Sequence, residues 1–357
     1  MKKHAIIPIF IPHRGCPNDC VFCNQKAITA RQADVTPEGV RQIIEDYLPT
    51  LTGRGLETIE VAFFGGSFTG IPIEDQSAFL QVAAEYKSRG LIDKIHMSTR
   101  PDYIDEKILD NLKAFDADVI ELGVQSFDPA VLEASNRGHQ VEDVYRACDL
   151  IKSYGFELGI QLMIGLPQDS LESCIYSARE TVKIAPSIAR LYPTIVLNDT
   201  ELLNMYLRGE YQPLTTDEAV AVTKEMYRII SGAGIKIIRV GLKSTDLIND
   251  SDSDTNQTVG HTYHPAFRQL VEGEIAREDL EAQLTEIISR RGGGQLERRN
   301  PGGCELAVSF FSNGVSFSNM IGNSRRNKIY FAKKYPEIKI AFKRDDSLED
   351  MVFVAKA

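Results

Sequence analysis

The sequence has no tryptophan, no apolar run long enough to cross a membrane and no overall positive charge. A bilayer-spanning helix needs about 20 apolar residues, whereas the apolar stretch at the amino terminus is interrupted by Pro8 and Pro12 and then meets His13 and Arg14. We therefore expect neither a membrane anchor nor a signal peptide, and we predict a cytoplasmic protein. The 50 acidic and 40 basic residues give a formal charge of -10, which argues against nucleic-acid binding through bulk charge.

Cysteine is also scarce, with six residues, but three of them form a cluster with the spacing CxxxCxxC: Cys16, Cys20 and Cys23. The other three are scattered and are predicted to be small core residues: Cys148, Cys174 and Cys304. In a reducing compartment a cysteine cluster indicates metal binding or catalysis rather than disulfides. Three thiolates suit a soft metal centre, whereas a closed zinc site needs a fourth ligand, for which His13 is a candidate.

Short β-rich apolar runs alternate with segments of helical period between residues 4 and 241. The predicted strands are residues 4–11, 58–64, 94–99, 118–124, 157–163, 189–196 and 235–240. Repeated strand and helix units predict an α/β fold with a parallel sheet, either doubly wound or curled into a barrel. In both arrangements ligands bind at the carboxyl ends of the strands, so the residues that follow each strand are the candidate site residues.

A polar, turn-rich segment at 249–259 indicates a linker or a mobile loop. We predict two domains, 1–246 and 247–357, the second being a small α+β module. Its predicted elements are a helix at 266–290, a strand at 305–311, a strand or turn at 314–318, a helix at 324–335 and a strand at 337–342. His261 and His264 suggest either a turn or a second metal site.

The cysteine cluster, with Phe22 before its last cysteine, resembles the signature of the radical S-adenosylmethionine (SAM) superfamily. The segment after the second strand, FFGGSFT, resembles the glycine-rich loop of that family. The resemblance implies that Phe22 lies at the cofactor and that the loop of Gly65, Gly66 and Ser67 meets the amino group of SAM.

Five further segments resemble the radical SAM half of the Elongator catalytic-subunit family: STRPDY (98–103), ELGVQS (121–126), NRGH (136–139), IGLP (164–167) and LYPTIVL (191–197). Oxygen-independent coproporphyrinogen oxidases share a looser version of this series. The resemblance covers about residues 4–241 and implies a partial (β/α)6 TIM-like barrel. Members of the Elongator family carry an acetyltransferase domain after this barrel, and the remaining 110 or so residues are expected not to form one.

The resemblance also implies cofactors and roles. Cys16, Cys20 and Cys23 would hold a [4Fe-4S] cluster, and SAM bound to it would be cleaved to a 5'-deoxyadenosyl radical after one electron arrives from a flavodoxin-type or ferredoxin-type donor. The residues implied to contact SAM are Gln125 and Ser126 beside the cofactor, Arg137 on its carboxylate and Gln161 near its ribose. Two alternatives stay open, because Arg137 could cap a helix and Gln161 could be a satisfied polar group inside the barrel.

The net acidity hides a basic segment, since residues 289–344 contain twelve Lys or Arg and three acidic residues. Within it, residues 317–340 resemble a KH module, in which a GXXG turn clamps a nucleic-acid backbone. Here the turn begins at Gly322, but Arg325 stands where the second glycine belongs. The candidate RNA-binding residues are Gly322, Arg325, Arg326 and Lys328, and the alternative is a solvated basic helix.

The sequence therefore predicts a radical SAM enzyme of the Elongator-like group that modifies RNA, with tRNA as the favoured substrate. One alternative is a radical SAM enzyme with a small-molecule substrate. The other is an RNA-binding protein without enzymatic activity that holds a structural metal.

Overall fold

The computed structural model describes residues 4–11, 16, 19–24, 35–244, 248, 258–290 and 306–357. The chain divides into two compact units, Met1–Pro265 and Ala266–Ala357. His13, Cys304, residues 249–257 of the linker and the arginine-rich stretch 291–305 lie outside the described residues.

The first unit contains a seven-stranded sheet whose strands are all parallel and follow one another in chain order. Its strands are β1 (His4–Ile11), β2 (Thr58–Gly65), β3 (Lys94–Thr99), β4 (Val119–Gln125), β5 (Glu157–Ile164), β6 (Ile188–Pro193) and β8 (Lys236–Val240). A separate antiparallel pair is formed by β7 (Val196–Leu197) and β9 (Thr258–Val259). Each strand lies where the apolar runs predicted it, and the sheet is that of a partial TIM-like barrel.

Helices connect the strands. They are α1 (Pro37–Leu51), α2 (Ile73–Ser88), α3 (Glu106–Ala114), α4 (Pro129–Ala134), α5 (Val141–Ser153), α6 (Leu171–Ile184), α7 (Glu201–Leu207) and α8 (Thr216–Gly232). The first turns of most of these helices are fixed by side-chain caps. At α3, Asp105 accepts from the Ile108 amide at 2.8 Å, and at α8, Thr215 and Glu218 form a capping box.

The two faces of the barrel sheet differ in composition. Residues that point to the helices are apolar and 0% exposed, including Ile7, Ile95 and Leu122. Residues that alternate with them point to the concave face, and several of these are polar and half-buried, including Ser98 and Gln161. The packed core of the barrel is therefore on its outer face.

The second unit begins with the long helix α9 (Phe267–Arg290). It continues with β10 (Ala307–Ser312), α10 (Phe317–Ile321), α11 (Arg326–Lys334), β11 (Lys339–Arg344) and β12 (Val354–Lys356). β10 is the central strand, parallel to β11 and antiparallel to β12. A core of its own, which includes Leu280, Phe310 and Phe331, packs between the helices and this sheet.

Two details differ from the sequence prediction. The boundary between units follows Pro265 rather than residue 246, because β9 pairs with β7 of the first unit. In the segment predicted as strand or turn at 314–318, residues 314–316 form a turn, in which the Ser316 amide donates to Asn313 at 2.8 Å, and only its last two residues differ from the prediction by starting α10. No helix among the described residues is long and apolar enough to cross a membrane.

Candidate active site

The cysteine segment is held at the carboxyl edge of the barrel sheet by contacts on both sides. The Val21 amide donates to the Ser135 carbonyl at 3.2 Å, and the Leu202 amide donates to the Val21 carbonyl at 2.7 Å. Asn136 donates from its side chain to the Asp19 carbonyl at 2.8 Å. The end of α4 and the start of α7 therefore fix this segment beside the strand ends.

Arg137 links the cysteine segment to the sheet. Its Nη1 donates to the Sγ of Cys20 at 3.2 Å, and its Nη2 donates to the carbonyl of Gly123 at 2.5 Å. The side chain is buried, and it reaches a strand and a thiol rather than capping a helix. A guanidinium in this position supplies fixed positive charge next to the Cys20 sulfur and can pair with a carboxylate.

The predicted glycine loop lies at the same edge. Gly65 has a φ of +112°, and a Cβ there would lie 2.6 Å from the Ile11 carbonyl oxygen. The Gly66 amide donates to that oxygen at 3.0 Å. Ser67 is hydrogen-bonded to Thr99 at 2.7 Å and accepts from the Arg100 amide at 3.1 Å. Only glycine can bring the end of β2 this close to β1.

The structure adds Arg100 and His139, to which sequence reasoning assigned no site role. Arg100 donates to both carboxylate oxygens of Asp102 at 2.9 Å, while its buried Nη1 has no hydrogen-bond partner among the described residues. Burial lowers the pKa of Arg100, but Asp102, Cys20 and Cys16 raise it more. A charged residue directly after β3, within the segment STRPDY, was the available signal.

His139 is almost completely buried, and in the described part of the chain neither of its ring nitrogens has a partner. Burial, followed by the positive charges of Arg137 and Arg100, lowers the pKa of His139 to about 3. The imidazole is therefore neutral and can both donate and accept a hydrogen bond at this edge.

Gln125 is the last residue of β4 and Ser126 follows it, but the two side chains have different surroundings. Gln125 has a φ of +71° next to a register shift in the strand, and its buried Oε1 lacks a partner in the described structure. Ser126 instead accepts from the Asp128 amide at 3.1 Å and lies 3.4 Å from Ser177 of α6. Its hydroxyl thus supports the strand end and the helix.

Gln161 lies on the concave face of β5. Its amide nitrogen donates to Ser98 at 3.2 Å and to Glu121. This places Gln161 in a polar group of the barrel interior, separate from the contacts made by Arg137.

The donor set at this edge fits an iron-sulfur cluster with SAM. Three cysteines, two buried guanidiniums and the unpartnered Gln125 oxygen lie on segments that leave the same sheet edge, and thiolates suit such a cluster. Among the described residues, no three His, Cys, Asp or Glu side chains are already gathered into one metal-binding group. His261 and His264 are among the described residues, and they belong to no such group of three.

The two remaining described cysteines are structural. Cys148 and Cys174 are buried in α5 and α6. Burial raises the pKa of Cys148 to about 12 and also raises the pKa of Cys174, so both thiols stay protonated.

Comparison with known proteins decides the family. The profile of the radical SAM superfamily matches residues 10–180, and the profile of the radical SAM C-terminal domain matches residues 186–277. The chain belongs to the radical SAM superfamily. Its members are enzymes, and the matched region includes the three cysteines, the glycine loop and Arg137.

Similar proteins within the superfamily are Elongator-like. The tRNA uridine(34) acetyltransferase of Methanocaldococcus infernus is 30% identical over 257 residues, which cover 61% of this chain and 48% of that protein. Elongator complex protein 3 of Homo sapiens is 26% identical over 61% of this chain and 48% of its own length. The chain thus spans about half the length of these relatives.

A solved structure of Elp3 from Methanocaldococcus infernus matches this radical SAM protein in fold. It has a TM-score of 0.60 and 23% identity, and the match covers 78% of this chain and 64% of that chain. The expected fold, a partial TIM-like barrel, is therefore confirmed.

The second unit carries the predicted basic turn. Gly322 connects α10 to α11 with a φ of +79°, and a Cβ there would lie 2.8 Å from the Asn327 amide nitrogen. The buried Asn327 side chain donates to the carbonyls of Gly273 and Asn319 at 2.7 and 3.1 Å. These contacts fix the turn, while Arg325, Arg326 and Lys328 are exposed around it.

Not every cation of α11 is available for a ligand. Lys334 pairs with Glu281 of α9 at 2.7 Å and contacts the Tyr330 hydroxyl at 2.9 Å. Arg325, Arg326 and Lys328 lie at the start of α11, where the helix dipole also favours anions.

Proposed function

We propose that this protein holds a [4Fe-4S] cluster on Cys16, Cys20 and Cys23 with SAM beside it, and modifies an RNA substrate. When bound and reduced by one electron, this cofactor pair supplies a 5'-deoxyadenosyl radical that abstracts a hydrogen atom. The observation that carries the proposal is the contact of Arg137 with Cys20 at the sheet edge that also holds the glycine loop.

The residues of the chain have separable tasks at this site. Arg137 would hold the SAM carboxylate, because its guanidinium is fixed between Gly123 and Cys20. The backbone around Gly66 would receive the amino group of SAM, since Gly65 lets the chain turn there without a side chain. His139 and Arg100 have unpartnered nitrogens in the described structure and can supply further hydrogen bonds. An electron donor of flavodoxin or ferredoxin type would supply the electron.

The test is anaerobic reconstitution with iron and sulfide, followed by dithionite reduction in the presence of SAM. We expect the wild-type protein to gain iron-sulfur absorbance and to form 5'-deoxyadenosine, measured by mass spectrometry. Cys20→Ala should lose both, with product falling at least about 100-fold. Cys148→Ala is the matched control and should keep both, because Cys148 is buried in α5 away from the site. Absence of 5'-deoxyadenosine in wild type, or equal amounts in Cys20→Ala, contradicts the proposal.

RNA as the substrate class is supported by two independent features. The similar proteins from Methanocaldococcus infernus and Methanocaldococcus jannaschii are named for action on a tRNA uridine. The second unit presents the exposed cations Arg325, Arg326 and Lys328 around a tight turn, and phosphate contacts of this kind supply salt-dependent affinity.

The RNA half of the proposal is tested by binding tRNA to Arg325→Glu/Arg326→Glu. We expect weaker binding and a slope of log Kd against log salt that is smaller by about 1 to 2. The control is Arg54→Glu/Lys107→Glu, which reverses two exposed cations of the first unit and should bind as wild type does. A small-molecule enzyme would bind no tRNA, and an RNA-binding protein with a structural metal would contain zinc and cleave no SAM.

A further inference from the structure

The three-stranded sheet of the second unit has one face packed against helices and one face whose side chains stay partly or fully exposed. Along the central strand β10, Val308 and Phe310 are buried, and Phe310 meets Phe331 of α11 at a ring-centroid distance of 4.9 Å. Ser309 and Phe311, which alternate with them, are half-buried. Because successive side chains point to opposite faces of a strand, Ser309 and Phe311 belong to the face away from α11.

The register of the strands defines the other residues of this face. Phe311 is paired with Lys343 of β11, and Ser309 is paired with Ala341 of β11 and Lys356 of β12. Directly opposite residues of neighbouring strands point to the same side of a sheet. We call the surface formed by these residues and the exposed start of β11 the lysine platform: Ser309, Phe311, Lys339, Ala341, Lys343 and Lys356.

The lysine platform carries three positive charges and no carboxylate. Lys339, Lys343 and Lys356 are exposed, and within the described part of the chain none of them forms a salt bridge. None of β10, β11 and β12 contains an acidic residue. Asp345, which follows β11, accepts from the Ser347 hydroxyl at 2.5 Å, and hydrogen bonds from Ser347 and then the charge of Lys356 lower its pKa. The platform therefore suits an anionic partner.

Phe311 lies at the centre of the platform, with an ammonium group on each side of its ring. The Nζ atoms of Lys356 and Lys343 lie 5.2 and 5.8 Å from the ring centroid. The two lysines come from strands that run about 10 Å apart on either side of β10. An exposed cation–π contact contributes only about 0.5 to 1 kcal/mol, so the flexible lysines can leave the ring to a stacking partner. Ser309 and Ala341 are small and leave space beside the ring for a flat ligand.

We propose that the lysine platform binds a single-stranded segment of the RNA, with a base stacked on Phe311 and the flanking phosphates on Lys339, Lys343 and Lys356. This inference rests on the proposed function, because it presumes an RNA substrate. Surfaces that bind single strands combine an aromatic ring, on which a base stacks, with cations that contact the backbone. Neither superfamily profile extends beyond residue 277, so the family comparison assigns no role to this face.

The ring distinguishes a single strand from other anionic partners. A duplex keeps its bases stacked within the helix, so it could contact the lysines but could not place a base on Phe311. An acidic protein would also pair with the lysines, and another apolar side chain could replace the ring without weakening it. Arg325 and Arg326 begin α11, which packs on the opposite face of the sheet. Substitutions at that turn and on the platform therefore test two separate surfaces.

The test compares a short labelled single-stranded RNA with the same RNA annealed to its complement, using the full chain and fluorescence anisotropy. Phe311→Leu keeps an apolar side chain but removes the ring. We expect it to weaken single-strand binding about tenfold and to change duplex binding by less than about twofold. Lys343→Glu/Lys356→Glu should weaken binding of both RNAs and reduce the slope of log Kd against log salt by about 1 to 2.

Matched controls and a measurement on wild type make the test specific. Tyr176→Leu removes a ring that is 44% exposed on α6 of the first unit, and Arg54→Glu/Lys107→Glu reverses two exposed cations of that unit. Both should bind the two RNAs as wild type does. Thermal unfolding monitored by circular dichroism shows whether each variant is folded. Photocrosslinking of wild type to a single strand that contains 5-iodouridine should label the peptide that includes Phe311, as identified by mass spectrometry.

The outcomes separate this inference from the proposed function. Equal single-strand binding by wild type and folded Phe311→Leu, or crosslinks confined to other peptides, overturns the stacked base. The RNA substrate still stands in that case if Arg325→Glu/Arg326→Glu weakens tRNA binding. If the lysine variant loses both RNAs while Phe311→Leu loses neither, the platform binds through charge alone and the inference is wrong. If wild type binds no RNA, both the platform and the RNA substrate are wrong. Formation of 5'-deoxyadenosine tests the radical chemistry independently.

Discussion

Glu60 is a buried carboxylate whose charge is stabilised by two histidines. It lies 3.0 Å from the Nε2 of His4 and 3.2 Å from the Nδ1 of His96. Burial raises the pKa of Glu60, but hydrogen bonds and charge from His4 and His96 lower it to about 2. The folded state therefore binds a proton at Glu60 less readily than the unfolded chain does.

This shift predicts acid sensitivity. Because the pKa of Glu60 falls from 4.5 in the unfolded chain to about 2, its contribution is complete above about pH 5 and is lost as the pH falls toward 2. The contribution amounts to about 3 kcal/mol. We expect Glu60→Gln to flatten the pH dependence of the free energy of unfolding over this range, as measured by urea denaturation.

Glu85→Gln is the control for acid sensitivity, because Glu85 pairs with Arg41 at the surface, where both side chains are 41% exposed. Its pH dependence should match that of wild type. Equal pH dependence in wild type and Glu60→Gln would contradict the assignment.

Sequence reasoning proposes site residues from diagnostic spacing and misses residues that are defined by three-dimensional neighbours. The cysteines and Arg137 belong to short motifs, so their positions could be predicted. Arg190 on β6 and Glu121 on β4 are distant in sequence and lie on either side of β5, so only the order and register of the sheet bring their side chains within 2.8 Å. A charged residue within a strand gives no local signal that it is paired.

At the scale of elements, the turn after β2 shows why a short glycine pair is required. Gly65 has a positive φ, and a Cβ at this position would lie 2.6 Å from a backbone oxygen of β1. Gly53 also has a positive φ, of +77°, but a Cβ there would meet no atom within 4 Å. Substitutions at these two glycines therefore allow the cost of a positive φ to be measured separately from the cost of steric overlap.

We expect Gly65→Ala to lower the free energy of unfolding by about 2 to 4 kcal/mol, since strain and overlap add. Gly53→Ala should cost only about 1 kcal/mol. Equilibrium unfolding of both variants measures the difference, and SAM binding by equilibrium dialysis should weaken in Gly65→Ala alone. Equal costs would show that the β1 contact does not constrain this turn.

Barrel strands and long helices could be predicted because apolar periodicity specifies them. The short α10 and the final strand β12 could not, since five and three residues give too little periodicity. They form because they pack and hydrogen-bond against α9 and β10. For example, Gln283 of α9 accepts a hydrogen bond from the Ala355 amide of β12 at 2.9 Å. Tertiary contacts, rather than local pattern, determine these elements.

At the scale of the whole molecule, two separate cores predict two unfolding transitions. Leu122 is 0% exposed in the barrel sheet, and Leu280 is 0% exposed in the core of the second unit. Replacing a buried leucine by alanine costs about 2 to 5 kcal/mol. We expect Leu122→Ala and Leu280→Ala each to lower the midpoint of a different transition in calorimetry.

A single transition that both variants lower equally would contradict the independent unfolding of the two cores.

The predicted boundary near residue 246 followed the polar composition of the linker, but the pairing of β9 with β7 extends the first unit. Composition shows where a chain is polar, but pairing between two short strands that are distant in sequence has no compositional signature.

The difference in composition between the two faces of the barrel sheet affects which amino-acid substitutions this protein can tolerate. Residues such as Ile7 and Leu122 on the helix side secure the fold, whereas half-buried Ser98 and Gln161 on the concave side contribute little apolar packing. Half-buried concave positions that do not contact the buried carboxylates Glu60 and Glu121 can therefore be substituted at small cost to folding. A library restricted to those positions would explore new substrates on an intact scaffold, and natural divergence has the same route open to it.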